Sequence, residues 1–424
     1  MSDISCLYFL IFFAVIFRCI FYFYYGGTSN VGFQLPLLLE FLFVLPTVFI
    51  SLAGYFWDFY AALFLYLCCF ALQIGLMPLA RLKNMNLIAS LNIRFALQGI
   101  YFLTFFYGFC FFLTFYEDLA RVTDSASLFE LANKNAVARY DGTQSLGLVY
   151  KFASLAGYLM SFLFGMIFAT VFKSIDLKNK RKLVTCFVFF IFLLFFESLI
   201  TASRAGFLLQ LFSFLTSLYF WIAALNNGHS FSFSLKNIIV FFFFFTFIIS
   251  FFVIVQALRG GNEDFDLIDI VSHVMVWFFG YIPAFAKWFS SEADVFKSIN
   301  LGASSFAGLF DLLGVSYRKS GVYELVQIGN NRVTNVYTAF RGLVEDFGVV
   351  GSVLILIFIG VIISLSFVDN VYRSFIRYFG LMFIFIFSWS FVISPFIYNT
   401  ILFSFVLYSV LSHKFLLIKL ERGF

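Results

Sequence analysis

The chain has 424 residues, of which 62% are hydrophobic and 23% aromatic, while only 12% are charged; the net charge is +5 and the mean hydropathy +0.99. A soluble domain carries about twice that charge fraction, so polar side chains are too few to cover a soluble fold of this size. The positive charge is spread thinly, with no basic stripe, and nucleic acid is not an expected partner.

A helix needs about 20 apolar residues to cross a bilayer. In chain order, runs of that kind lie near Ile4–Tyr25, Leu35–Ala53, Phe59–Leu79, Phe95–Tyr116, Tyr150–Phe172 and Leu183–Leu199. They continue near Ala205–Ala224, Ile238–Leu258, Gly348–Phe367, Tyr378–Ser394 and Ile397–Leu411. The expected class is an all-α polytopic membrane protein with about 11 transmembrane helices, in a range of 10 to 12. Continuous rather than alternating apolarity argues against a barrel. The first run has no basic flank ahead of it and reads as a retained helix, not a cleaved leader. Phenylalanine supplies 71 residues, including the run Phe241–Phe245; Phe is among the residues least costly to place in lipid. All six cysteines fall in apolar segments, none at a metal-ligand or disulfide spacing.

Short loops rich in Lys and Arg face the cytoplasm. Lys173, Lys178, Lys180, Arg181 and Lys182 crowd one such loop, and Arg81, Lys83 and Arg94 mark another. Arg373 and Arg377 mark a third, and Lys414, Lys419 and Arg422 mark the C-terminal tail. All four fall on one side of the expected spans, which puts the N-terminus on the other. That other side carries a smaller polar segment over 117–147 and a large one over 259–347. The chain thus divides into an N-terminal bundle of about eight spans over 1–258, the large loop over 259–347, and the C-terminal transmembrane helices with a cytoplasmic tail over 348–424. A loop as long as 259–347 is usually functional. Its apolar patch Ile268–Phe289, interrupted by Gly280 and Pro283, reads as an interfacial or re-entrant helix.

Polar residues at membrane depth or at the mouth of the bundle carry the chemistry of such proteins. Four groups stand out on the side of the large loop. Glu197 and Arg204 flank a short link between spans and share a face at i, i+7 if the helix continues. Arg259-Gly260-Gly261 follows the eighth span, offering a guanidinium beside open backbone N–H groups, a pairing suited to phosphate. Asp269 and His273 stand four apart, as a carboxylate orienting an imidazole would. The stretch Asn335-Val336-Tyr337-Thr338-Ala339-Phe340-Arg341-Gly342-Leu343-Val344-Glu345-Asp346-Phe347-Gly348, followed by Gly351, leads into the ninth span. Arg341 and Glu345 can form an i, i+4 pair, and Asp346 can cap a helix start by accepting from Gly348 or Val349. No nucleotide-phosphate loop, zinc-ligand array or Gly-x-Ser-x-Gly is present.

The segments Asn335–Thr338 and Asp346–Gly351 resemble the Asn-x-Tyr-Thr and Asp-Phe-Gly-x-x-Gly segments of the O-antigen polymerase (Wzy) family, at the end of that family's large periplasmic loop. Length, span count and one dominant outer loop are also similar. The resemblance implies a membrane glycosyltransferase of the GT-C type in the bacterial inner membrane, acting at the periplasmic face. It would transfer a growing glycan from one undecaprenyl diphosphate to the sugar of another lipid-linked repeat unit. It implies no metal and no cofactor. Arg204, Arg259 and Arg341 would hold the departing diphosphate. Asp346, Glu345 or His273 would take the proton of the acceptor hydroxyl, and Asn335, Tyr337 and Glu197 would contact substrate. The implied partners are the lipid-linked donor and acceptor, the bilayer and a chain-length regulator protein.

Two other readings share the layout. An O-antigen ligase would use the same donor with a different acceptor. A flippase for a lipid-linked glycan would keep polar groups near the midplane and short external loops, whereas this chain has few charges inside its spans (Arg18 and Glu40 are the clearest).

Overall fold

The computed structural model describes residues 3–52, 54–81, 87–91, 93–121, 128–140, 147–171, 177–231, 234–260, 267–291, 299–315, 323–329, 332–367 and 374–420. They form α1 (Asp3–Tyr24), α2 (Val31–Leu52), α3 (Phe59–Leu76), α4 (Ile93–Arg121), α5 (Leu128–Tyr140), α6 (Leu148–Val171), α7 (Leu177–Ile200) and α8 (Arg204–Leu225). The chain continues through α9 (Leu235–Gly260), α10 (Leu267–Phe279), α11 (Tyr281–Ser291), α12 (Ala307–Leu312), α13 (Ala339–Ser366), α14 (Ser374–Ser388) and α15 (Asn399–Phe415). Two antiparallel strand pairs complete it: β1 (Leu87–Leu91) with β4 (Leu416–Leu420), and β2 (Val326–Gly329) with β3 (Arg332–Thr334).

Each apolar run read from the sequence falls largely on a helix, except that Tyr378–Ser394 leaves its helix after Ser388. Among the described residues, eight helices are long and apolar enough to cross a membrane: α1, α2, α3, α4, α6, α7, α8 and α13. The apolar stretches Thr246–Leu258 in α9, Phe375–Ser388 in α14 and Asn399–His413 in α15 are shorter. The protein is therefore an all-α polytopic membrane protein.

Helices in lipid associate through close packing rather than through the hydrophobic effect, so small residues mark the tightest seams. α3 and α13 meet at one. A Cβ on Gly75 would stand 2.2 Å from the Ile357 carbonyl oxygen and 2.8 Å from the Gly360 Cα. Ser364 of α13 donates to the Gly75 carbonyl at 3.1 Å. Along the seam between α6 and α8, Ser217 donates to the Phe162 carbonyl at 2.7 Å.

The described parts of the segment between α9 and α13 gather at one end of this bundle. The Phe56 N–H, between α2 and α3, donates to Ile328 O at 2.9 Å. The Ala339 N–H donates to Ser390 O, in the turn between α14 and α15, at 2.8 Å. At the opposite end of α2, the Val31 N–H donates to Gly228 O at 2.9 Å.

The apolar patch Ile268–Phe289 forms two helices, α10 and α11, which meet at Gly280. α11 does not lie on the surface. Its Tyr281 hydroxyl donates to the Leu42 carbonyl, and Phe285 and Phe289 stack on Phe64 of α3 at 6.2 and 5.3 Å. It is lodged against the middle of α2 and the first turns of α3, with Tyr281, Phe285 and Trp288 buried.

α13 is two helical pieces. Gly348, at φ 68° and ψ 177°, breaks it, a conformation costly for any residue with a Cβ. The piece before the break, from Ala339 to Phe347, belongs to the gathered end, and the apolar piece after it descends along α3.

Candidate functional site

The first piece of α13 presents Arg341 inward. Only 5% of Arg341 is exposed. Its Nε donates to Glu345 Oε1 at 2.8 Å, one helical turn on, and its Nη1 donates to Glu324 Oε1 at 2.8 Å. Three rings wall the guanidinium, with its carbon 4.0 Å from the Tyr323 centroid, 4.4 Å from Tyr337 and 4.9 Å from Trp288. Electron-rich ring faces suit a guanidinium that has left water. Tyr323 and Tyr337 pack edge to face at 5.0 Å, and the Tyr337 hydroxyl donates to the Glu324 carbonyl at 3.4 Å. Burial pushes the Tyr323 phenol well above its ordinary range, so its hydroxyl stays protonated. The Trp288 indole N–H is buried without a hydrogen-bond partner among the described residues.

The two carboxylates of this box are not equivalent. The Glu345 side chain is 24% exposed and that of Glu324 59%. Arg341 has both as partners through its Nε and Nη1, which leaves the other guanidinium N–H donors for a ligand.

Asp346 is fully buried. Both carboxylate oxygens accept backbone N–H groups at 2.7 Å, Oδ1 from Ser304 and Oδ2 from Ser305. The backbone repeats the tie, because Asn300 N–H donates to Glu345 O at 3.2 Å and Leu301 N–H to Asp346 O at 3.1 Å. The expected cap onto Gly348 or Val349 is replaced by a clamp on a segment some forty residues earlier. Asn335, half-buried, stands between β3 and α13.

The expected i, i+7 pairing of Glu197 and Arg204 does not form. α7 ends at Ile200, Ala202 adopts φ 45°, and α8 begins at Arg204. Glu197 instead accepts from the Tyr107 hydroxyl at 2.7 Å, and the Arg204 guanidinium lies 5.3 Å over the Phe252 ring. His273 is exposed on α10. The side chains of Arg259 and Asp269 lie outside the described residues.

A continuous run of rings links the surroundings of the two described arginines. Phe252 packs on Trp277 at 4.4 Å, Trp277 on Phe391 at 6.0 Å, and Phe391 on Tyr281 at 6.1 Å. Tyr281 then meets Phe43 at 5.7 Å, and Phe43 meets Phe340, the neighbour of Arg341, at 5.0 Å. Trp288, Tyr323 and Glu324 were not singled out from the sequence. The only sequence signal for them was a Tyr-Glu pair ahead of a short strand and a Trp in an apolar patch.

Among the described residues, no group of three His, Cys, Asp or Glu side chains is placed to hold a metal ion. No family model, curated protein or solved structure matches this chain.

Proposed function

We propose that the protein is a membrane glycosyltransferase that polymerises lipid-diphosphate-linked oligosaccharide repeat units at the end of the bundle where α10 to α13 gather, with eleven spans and an inner-membrane location. The observation that carries this reading is the Arg341 box. It joins a cation, two partly exposed carboxylates, three aromatic rings and an unpaired indole N–H where several spans end. Rings and carboxylates together suit a sugar, which offers C–H faces and hydroxyls. The end of a bundle suits a donor whose leaving group is anchored in lipid.

Within this reading Glu345 is the base and Arg341 its positioning residue. The acceptor hydroxyl oxygen forms a bond to the anomeric carbon of the donor glycan. The bond from that carbon to the diphosphate oxygen breaks, its electron pair stays on the lipid diphosphate, and the hydroxyl proton passes to Glu345. Arg204 and Arg259 are assigned to the charge growing on the diphosphate. Asp346, with both oxygens engaged and no exposed surface, holds the site's frame.

The test is the surface glycan of a deletion strain complemented with variants. Loss of the gene should leave lipid capped with single repeat units. Loss of all glycan would replace polymerase with ligase or flippase. Glu345→Gln, at normal membrane level, should reproduce the single-repeat pattern; long polymer from this variant would remove Glu345 from the chemistry.

A further inference from the structure

The described segment 299–315, which contains α12, lies outside the spans, yet in its seventeen residues it has a single charged side chain, Asp311. Water-facing loops are polar. Here Ile299, Leu301, Leu309, Leu312, Leu313 and Val315 all point outward, Leu313 with 66% of its surface exposed. Two pins fix the segment's position. At one end Asp346 clamps the backbone of Ser304 and Ser305. At the other, Asn399, the first residue of α15, donates to Asp311 Oδ2 at 3.3 Å. Phe306 packs on Phe396 at 6.3 Å between them. The segment thus bridges the ends of α13 and α15. Following each pin along the chain, a stripe of exposed apolar side chains begins, with Val350, Leu354 and Phe358 on α13 and Phe403, Val406 and Val410 on α15.

We infer that this segment is a membrane-embedded shelf, its leucines sunk in the acyl-chain boundary of the leaflet at this end of the bundle. The partner it fits is a lipid surface. Its exposed side chains continue two stripes that already face lipid, and its one charge is turned to Asn399. Burying apolar side chains in the interface is favourable by roughly 25 cal/mol for each Å² removed from water. The inference stands whether or not the proposed reaction is correct.

Spin labels at Leu313→Cys and, separately, Val315→Cys test it. The full chain is reconstituted in vesicles of phosphatidylethanolamine and phosphatidylglycerol, and the unsubstituted protein, labelled identically, supplies the background of native cysteines. Both side chains are exposed, so their replacement removes no packing. Relaxation by oxygen exceeding that by a water-soluble nickel chelate at both positions is the expected result. The reverse order would overturn the shelf in favour of water. Low access to both reagents would overturn it in favour of protein cover, and spin–spin broadening in that case would identify a second copy of the chain.

Discussion

At the scale of single residues, the molecule separates charge that anchors from charge that remains available. Asp346 anchors. Asp346→Ala would leave the buried Ser305 N–H unpaired, at a cost of about 1–3 kcal/mol, and the part-buried Ser304 N–H at a smaller one. Asp346→Asn keeps one acceptor and should fall between the two. Thermal unfolding in detergent checks the order, with wild type highest and Ala lowest. Arg18 and Glu40 make the corresponding case inside the spans. They pair at 2.7 Å with little exposure, and the Arg18 Nη1 donates to the Phe33 carbonyl at 3.1 Å. Breaking a buried pair from one side costs about 3–5 kcal/mol, while replacing both partners with apolar residues is often neutral. Glu40→Leu alone should therefore lower the unfolding temperature, and the double change Arg18→Leu with Glu40→Leu should restore it. A double variant no better than the single would show that the pair does more than satisfy its own charges. The Arg341–Glu345 pair was legible in the sequence because its two members are four residues apart on one helix. The Asp346 clamp was not, because its partners are backbone groups some forty residues away, and backbone groups leave no mark on a sequence.

At the scale of elements, the spans were legible because continuous apolarity is a local signal. Where helices stop was less so. Ala202, at φ 45°, ends α7 without a glycine or proline to announce it, and the face-sharing of Glu197 and Arg204 is lost with that turn. α11 was readable as an apolar helix, but its burial against α2 and α3 depends on Leu42 and Phe64, far away in the chain. The seam between α3 and α13 is the element-scale feature most open to test. A side chain at Gly360 would meet the Leu72 carbonyl at 2.7 Å and the Gly75 Cα at 2.8 Å, both backbone atoms that cannot swing aside. Gly360→Val should destabilise the protein by about 1–3 kcal/mol, the usual cost of overpacking. The same substitution at Gly206, whose nearest neighbour would be the Ser203 hydroxyl at 3.9 Å, should cost nothing, because Val is the better helix former. Unfolding temperatures that do not distinguish the two would contradict the close approach. Gly348→Ala meets no atom but carries a positive φ, and should cost roughly 1–2 kcal/mol through backbone strain alone.

At the scale of the whole molecule, the tightest seam joins two helices of unequal span. The apolar span of α3 continues through the turn Met77–Arg81 and covers Phe59–Ala80, 22 residues, about 33 Å at 1.5 Å each. The part of α13 below Gly348, residues 349–366, is about 27 Å long, and α14 and α15, with 15 and 17 residues, are shorter still. A typical hydrocarbon core is about 30 Å thick. Longer helices such as α1 and α4 can absorb a difference by tilting. Beside α13, α14 and α15 the bilayer is expected to thin, at fractions of a kcal/mol per Å. Reconstitution in phosphatidylcholines of increasing acyl length should show maximal thermal stability in the thinner membranes and a steady decline in the thicker ones. A protein with this waist would concentrate where its membrane is thinnest, so that membrane thickness itself would influence where in that membrane it works.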